Sequence, residues 1–175
     1  SMAFALSYAA FLRLYRDDFD SDEAHADELV SLRETHGVPE VWLAHGNVAK
    51  AWHHGSVDDP HEGAEKMHHA LTHFRETGSR CFLPLWDTVH AEILLRAGRA
   101  DEAMEILQRV EEDMAETGEY WCQSEWLRVH ALAHHAQGKP EHGRKLIDIA
   151  AGVAERQGAE NWLGRVRSTR DKVAG

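Results

Sequence analysis

Arg75-Glu76-Thr77-Gly78 decides the fold, because the chain keeps returning to it. The same segment stands as Arg33-Glu34-Thr35-His36-Gly37 and as Ala115-Glu116-Thr117-Gly118, and more loosely as Glu155-Arg156-Gln157-Gly158. The glycines fall at 37, 78, 118 and 158, in steps of 41, 40 and 40 residues. A fixed step of this size marks a stacked array of helical repeats rather than a single globular core. Glycine there suits the left-handed residue that closes a helix. Each copy is therefore expected to end the second helix of a hairpin and to set the angle to the next.

Outward from these helix ends the rest of the chain falls into pairs. Residues 2–16, MAFALSYAAFLRLYR, are apolar or aromatic nearly throughout, as expected of a helix with neighbours on several sides and of a chain excised from a longer array. After the turn and capping residues Asp17 to Ser21, an acidic helix is expected over 22–36 with Ala24, Leu29 and Leu32 buried. Val38-Pro39 opens a helix over 40–54, the longer linker Gly55 to Pro60 follows, and a helix over 61–77 carries Ala64, Met67, Ala70, Leu71 and Phe74 at helical spacing. Further helices are expected over 82–97, 101–117, 120–137 and 140–157, broken at Gly98 and Gly138. A last helix over 160–173, with Arg165, Arg167, Arg170 and Lys172, would cap the stack with a polar outer face. The expectation is an all-α chain of about nine helices in one domain, 1–175, with hairpins at 2–36, 39–77, 81–117 and 120–157.

The totals exclude several function classes. Nineteen basic against thirty acidic residues leave a net charge of −11 with histidine neutral, and an acidic surface repels phosphate backbones, so no nucleic-acid partner is expected. Charging all fourteen histidines would swing the sum to about +3. No run of 18 apolar residues and no signal-peptide layout occurs, so no membrane partner is expected either. Cys81 and Cys122 lie one repeat apart just after repeat glycines, and both read as buried turn residues. Two thiols in a chain of this size fit the reducing cytoplasm. Ser1-Met2 reads as a cleavage scar followed by a start methionine.

The spacing within the pairs resembles that of tetratricopeptide units. Gly98, Ala103, Leu107 and Val110, and again Gly138, Gly143, Ile147 and Ala150, stand where that family places turn glycine, small and bulky apolar residues. Ala91 and Ala131 stand at the small position where two helices cross closely. The resemblance implies a right-handed α-solenoid, with helices longer than those of the 34-residue unit. A closer resemblance covers residues 3 to about 168. The segments VWLAHGNVAKAWHHG, FRETGSRCFLPLWDTVHAEILLRAGRADEAMEIL and AETGEYWCQSEWLRVHALAHHAQGKPEHGRKL resemble the long-repeat array at the C-terminus of large bacterial signalling ATPases. The matching residues are Trp42, Trp52, Gly78, Pro84, Gly98, Glu102, Gly118, Glu125, Leu127, Arg128 and Gly138. The family's arrays follow a nucleotide-binding domain, itself preceded by a class III adenylate or guanylate cyclase domain or a DNA-binding activator domain. This chain departs from it by histidines at His53, His54, His68, His69, His134 and His135, and it has no GxxxxGK[ST] phosphate loop.

By that frame, Trp42, His45, Trp52, His53, Thr88, Glu92, Arg96, Glu125, Arg128 and His135 face the inner groove, a mixture of aromatic, carboxylate and guanidinium groups suited to a peptide or small polar ligand. Trp86 and Trp126, 40 residues apart, read as packing between helices, and Arg128 can pair with Glu92 or Glu125. His69 with His73, and His130 with His134, are i, i+4 pairs able to grip a metal. A third ligand would have to come from His45, His53 or His90. No HExxH or Cys-x-x-Cys occurs, so the histidines read as solvated or hydrogen-bonded, and no metal, cofactor or catalytic residue is assigned. The implied function is a non-catalytic regulatory and interaction domain of a larger signalling regulator, its partner a protein or peptide such as the parent's own ATPase or output domain. A small-molecule sensor is the alternative, and a metal-dependent helical enzyme a third reading.

Overall fold

The computed structural model describes residues 2–16, 27–29, 31 and 39–174. Among these every regular element is a helix: α1 Met2–Arg16, α2 Glu40–Val57, α3 Pro60–Glu76, α4 Leu83–Arg96, α5 Ala100–Thr117, α6 Gln123–Ala136, α7 Pro140–Gln157 and α8 Glu160–Ala174. Residues 27–29 and 31 are helical too, whereas the rest of the helix expected over 22–36, with Ala24, Leu32 and Gly37, lies outside the described residues. No described helix is long and apolar enough to cross a membrane. The chain divides into two compact units, Ser1–Cys81 and Phe82–Gly175.

The helix ends follow a shorter beat than the one read from the sequence. Gly78, Gly98, Gly118, Gly138 and Gly158 stand 20 residues apart, and all have φ between 64° and 76°. From Gly78 onward every described turn between helices thus contains a left-handed glycine. At Gly98 the closure is a Schellman pattern, with the Arg99 amide donating to the Leu94 carbonyl at 2.9 Å, and the Lys139 amide does the same to His134 at 2.9 Å. No atom lies within 4 Å of the position a Cβ would take at any of these five, so the requirement is the backbone angle alone.

In the first unit, α1 packs on α2 and α2 on α3. Ala3, Leu6 and Leu29 form one apolar cluster with Trp42 against it, and Ala10 meets Ala49. The other face of α1 leaves Met2, Phe4, Tyr8 and Leu12 exposed. The stretch Gly55 to Pro60, read as a linker, is mostly helix: α2 continues to Val57, and only Asp58 and Asp59 join it to α3. The reason is the crossing. A Cβ on Gly63 would stand 2.1 Å from the Gly55 Cα, so two glycines inside their helices let the backbones meet. Asp59 then caps α3, accepting from the amides of His61 at 2.8 Å and Glu62 at 3.2 Å, with Pro60 in the first turn.

In the second unit, α4 pairs with α5 and α6 with α7, and α8 packs on both α6 and α7. Alternate helices also touch in series, α4 on α6 and α6 on α8. The small-residue crossing is present here: a Cβ on Gly143 of α7 would lie 2.8 Å from the Ala131 carbonyl oxygen of α6. Trp86 and Trp126 are buried, and the Trp126 indole donates to the Leu107 carbonyl at 2.9 Å. An aromatic ladder runs from Phe82 before α4 through Trp121 before α6 to Trp162 on α8, with ring centroids 5.6 and 5.9 Å apart. Phe82 adopts φ 64° at the start of α4, a conformation rare for a bulky residue.

Two expectations are corrected. Cys81 is exposed; only Cys122 is buried. On α8, Trp162, Leu163, Val166, Thr169 and Val173 form the buried stripe, and Arg165 turns inward with them instead of joining the polar outer face of Arg167, Arg170 and Lys172.

Candidate functional site

Of the ten residues assigned to a groove, Trp42, His45, Trp52 and His53 lie on α2 in the first unit. Trp42 packs edge-on to Phe4 of α1 at 5.7 Å and stacks on His45 at 5.8 Å. His45 is buried against Phe74 of α3 at 4.8 Å, and burial pushes its imidazole down to about 4, so it is neutral at pH 7. Trp52 is buried beside them in sequence, with 4% of its surface exposed. These three serve the core. His53 is different: it points to a hollow of about 460 Å³ between α2 and α3.

That hollow is the open site of the first unit. Lys50, His53 and His54 line it from α2, and Lys66, His69 and His73 from α3, over a floor of Ala51 and Ala70. Its charged groups are tied to carboxylates, of which Asp58 belongs to the lining. Lys50 Nζ lies 2.5 Å from Asp27, Lys66 Nζ 2.9 Å from Glu62, and His73 Nε2 2.9 Å from Glu40. His54 reaches Asp58 at 3.0 Å and Glu62 at 3.1 Å. The carboxylate partners Asp27, Glu40, Asp58 and Glu62 are each between 43% and 57% exposed, so these are solvated pairs that contribute little stability.

The other six residues lie in the second unit, and four of them meet in a buried charge cluster. Arg128 of α6 grips Glu125 with two bonds, Nε to Oε2 at 2.9 Å and Nη2 to Oε1 at 2.8 Å. The same Nη2 donates to Glu92 of α4 at 2.7 Å, and Nη1 donates to Thr169 of α8 at 3.3 Å. Arg165 of α8 contacts both carboxylates at 3.1 Å, and Arg96 stands 3.7 Å from Glu92. Burial would push the Glu92 carboxyl up, but Arg128, Arg165 and Arg96 outweigh it and hold it well below the usual carboxylate range. The Arg128 guanidinium is correspondingly held more firmly protonated than usual. Thr88 is buried and donates to the Pro84 carbonyl at 2.7 Å. His135 lies half-buried near the end of α6.

Chemically this cluster is a clamp. Both Glu125 oxygens and one Glu92 oxygen accept from guanidinium groups, which hold their protons, so neither carboxylate is set up to shuttle one. It joins α4, α6 and α8, alternate helices of the second unit. Arg165 and Thr169 complete it, and spacing gave no signal for them, since they look like ordinary members of a basic terminal helix.

A third grouping runs along α6 and α7. Trp126 meets His130 at a tilt with centroids 5.1 Å apart, and His130, His134 and His142 stack in series at 4.9 and 5.6 Å. Burial, then the neighbouring His134, push His130 down to about 4. Burial, then His142 and Lys139, lower His134. Among the described residues no three of His, Cys, Asp and Glu gather in a geometry that could hold a metal ion. Burial pushes the Cys122 thiol up to about 12, aided by the charges of Glu125 and Glu119, so it is not a thiolate nucleophile at neutral pH.

Against known proteins the chain is 24% identical over 168 residues to an uncharacterized protein of Rhizobium meliloti (strain 1021), a match covering 95% of this chain and 16% of that protein. The chain thus spans about a sixth of the length of this relative. No protein-family profile matches the chain, and no solved structure matches it.

Proposed function

We propose that the chain is a non-catalytic regulatory module, a right-handed solenoid of tetratricopeptide-like hairpins that works in the cytoplasm as part of a larger signalling regulator and docks a peptide or protein, the regulator's own ATPase or output domain included. The observation that carries this reading is the helix packing inside each unit, α1 on α2 and α2 on α3 in the first, and in the second α4 on α5, α6 on α7 and the alternate helices in series, α4 on α6 and α6 on α8. In such a stack each repeat contacts its neighbours, so a ligand on one exposed face biases the packing of those beside it. The resemblance to the arrays of signalling ATPases supports the same reading, and so does a relative about six times as long, of which this chain matches one segment.

The hollow between α2 and α3 favours a second reading, a small-molecule sensor. Its volume falls in the range of small-ligand sites, roughly 300–1,000 Å³. Both readings are tested by binding without turnover. The purified chain is titrated with peptide and metabolite libraries, watching melting temperature, and each hit is recovered and analysed by mass spectrometry. A saturable shift with the ligand recovered unchanged supports a binding module. Conversion of the ligand would overturn the non-catalytic assignment.

A further inference from the structure

The lining of the α2–α3 hollow has a chemical bias that narrows its ligand. Six of its side chains, Lys50, His53, His54, Lys66, His69 and His73, are ammonium or imidazole groups that donate hydrogen bonds to an oxyanion, and Asn47 adds an amide donor. Against them stands one lining carboxylate, Asp58, already taken up by His54 at 3.0 Å. This concentration of donors occurs in a chain of net charge −11.

From this juxtaposition we infer that the hollow binds a small multivalent oxyanion, a phosphate monoester or a dicarboxylate, across the gap between Lys50 and His53 on α2 and Lys66 and His69 on α3. The inference rests on the small-molecule reading above and assigns its ligand class.

The energetics permit the exchange. Lys50, Lys66 and His73 are now held by Asp27, Glu62 and Glu40, carboxylates outside the lining and each 43% exposed or more. Exposed pairs of this kind contribute little stability. An oxyanion seated over the apolar floor of Ala51 and Ala70 forms charge-assisted bonds on several sides at once, which are stronger than those a solvated pair retains. The lysines and histidines can therefore turn inward at small cost. A metal ion is the poorer occupant. The histidines are spread along two helices, and no three metal-ligating side chains gather among the described residues. Salt screens the chain's distant negative charge beyond about 8 Å, whereas Asp27, Glu40, Asp58 and Glu62 lie within that reach, so an incoming oxyanion has to take the lysines and histidines from these carboxylates.

Isothermal titration of the whole chain tests this, with inorganic phosphate, glycerol 3-phosphate and succinate as probes and sodium chloride at matched ionic strength as control. Imidazole nitrogen shifts followed by NMR report the location. The expected result is saturable binding of at least one probe, with the His53 and His69 ring nitrogens shifting. Which probe binds more tightly separates a phosphate ligand from a carboxylate one. The double variant Lys66→Gln, His69→Gln, at two exposed positions, should weaken binding about tenfold or more while the melting temperature without ligand stays put. Heat evolved equally with chloride, or binding undiminished in the variant, would overturn the anion assignment. So would zinc or nickel shifting the same nitrogens where no oxyanion does. A neutral metabolite that shifts them where oxyanions fail would refute the ligand class and leave the sensor reading standing, whereas a hollow that answers to nothing removes both.

Discussion

At the scale of single residues, Arg128 shows why a groove read from a repeat frame can be a core. The frame assigns Glu92, Glu125 and Arg128 to a groove; in the structure the three side chains meet, and only 4% of the Arg128 side chain and 1% of Glu125 remain exposed. Removing one partner of such a cluster strands buried charge, which costs about 3–5 kcal/mol, far more than an exposed pair contributes. Arg128→Ala is therefore expected to lower the urea unfolding free energy by about that amount, and Arg128→Lys to recover only part, since an ammonium cannot grip Glu125 with a planar fork. An Arg128→Ala chain as stable as the parent would show that the cluster is solvated and loose. Gly118 makes a smaller, purely conformational case. With φ 74° and nothing within 4 Å of a Cβ, Gly118→Ala should cost about 1 kcal/mol from the left-handed angle alone. Loss of several kcal/mol would mean that a close contact also operates there.

At the scale of elements, the helix crossings separate what propensity says from what packing says. Alanine is a better helix former than glycine by about 0.8–1 kcal/mol. Gly164 on α8 has open space where a Cβ would go, so Gly164→Ala should raise stability by roughly that amount. Gly143 on α7 would put its Cβ 2.8 Å from the Ala131 carbonyl, a backbone atom that yields only if α6 and α7 move apart. There the clash wins, and Gly143→Ala should destabilise by about 1–3 kcal/mol despite its propensity gain. Equal melting temperatures for the two variants would refute the crossing. This contrast also explains how much was legible in advance. Helix bounds were, because turn glycines and prolines are local signals, and those of α2 to α8 fall within about three residues of expectation. The glycines inside helices were not: Gly55 reads as a linker residue until α3 is placed against it. The same holds for the sites. His53 and the His69–His73 pair stand out in the sequence, but the hollow they share needs the pairing of two helices, and Arg165 joins the charge cluster only once α8 folds back on α6.

At the scale of the whole molecule, acid decides which electrostatic effect governs stability. Lowering the pH takes the net charge from −11 towards zero, which relieves self-repulsion and by itself favours the folded chain. That term is spread over the surface and screened beyond about 8 Å. The buried groups act the other way, and each unit carries its own. His45 in the first unit and His130 in the second sit near 4 when folded, against an ordinary 6.5. A depressed folded value means that the unfolded chain takes up protons first. Their stabilising contribution is present above about pH 6.5 and is lost as the pH falls through 4, on the order of 1–3 kcal/mol for each. Glu92 is depressed as well, by Arg128, Arg165 and Arg96 against its burial, so its contribution begins to fall below about pH 4.5 and continues down through strong acid. Urea unfolding followed by tryptophan fluorescence should therefore show midpoints dropping steadily from pH 7 to pH 4. His130→Leu should flatten that slope by about one proton, and the change should appear in the transition of the second unit if the two units unfold separately. A midpoint that holds steady or rises between pH 7 and pH 5 would mean that surface charge relief outweighs the buried imidazoles, and that neither histidine is as enclosed as its neighbours make it.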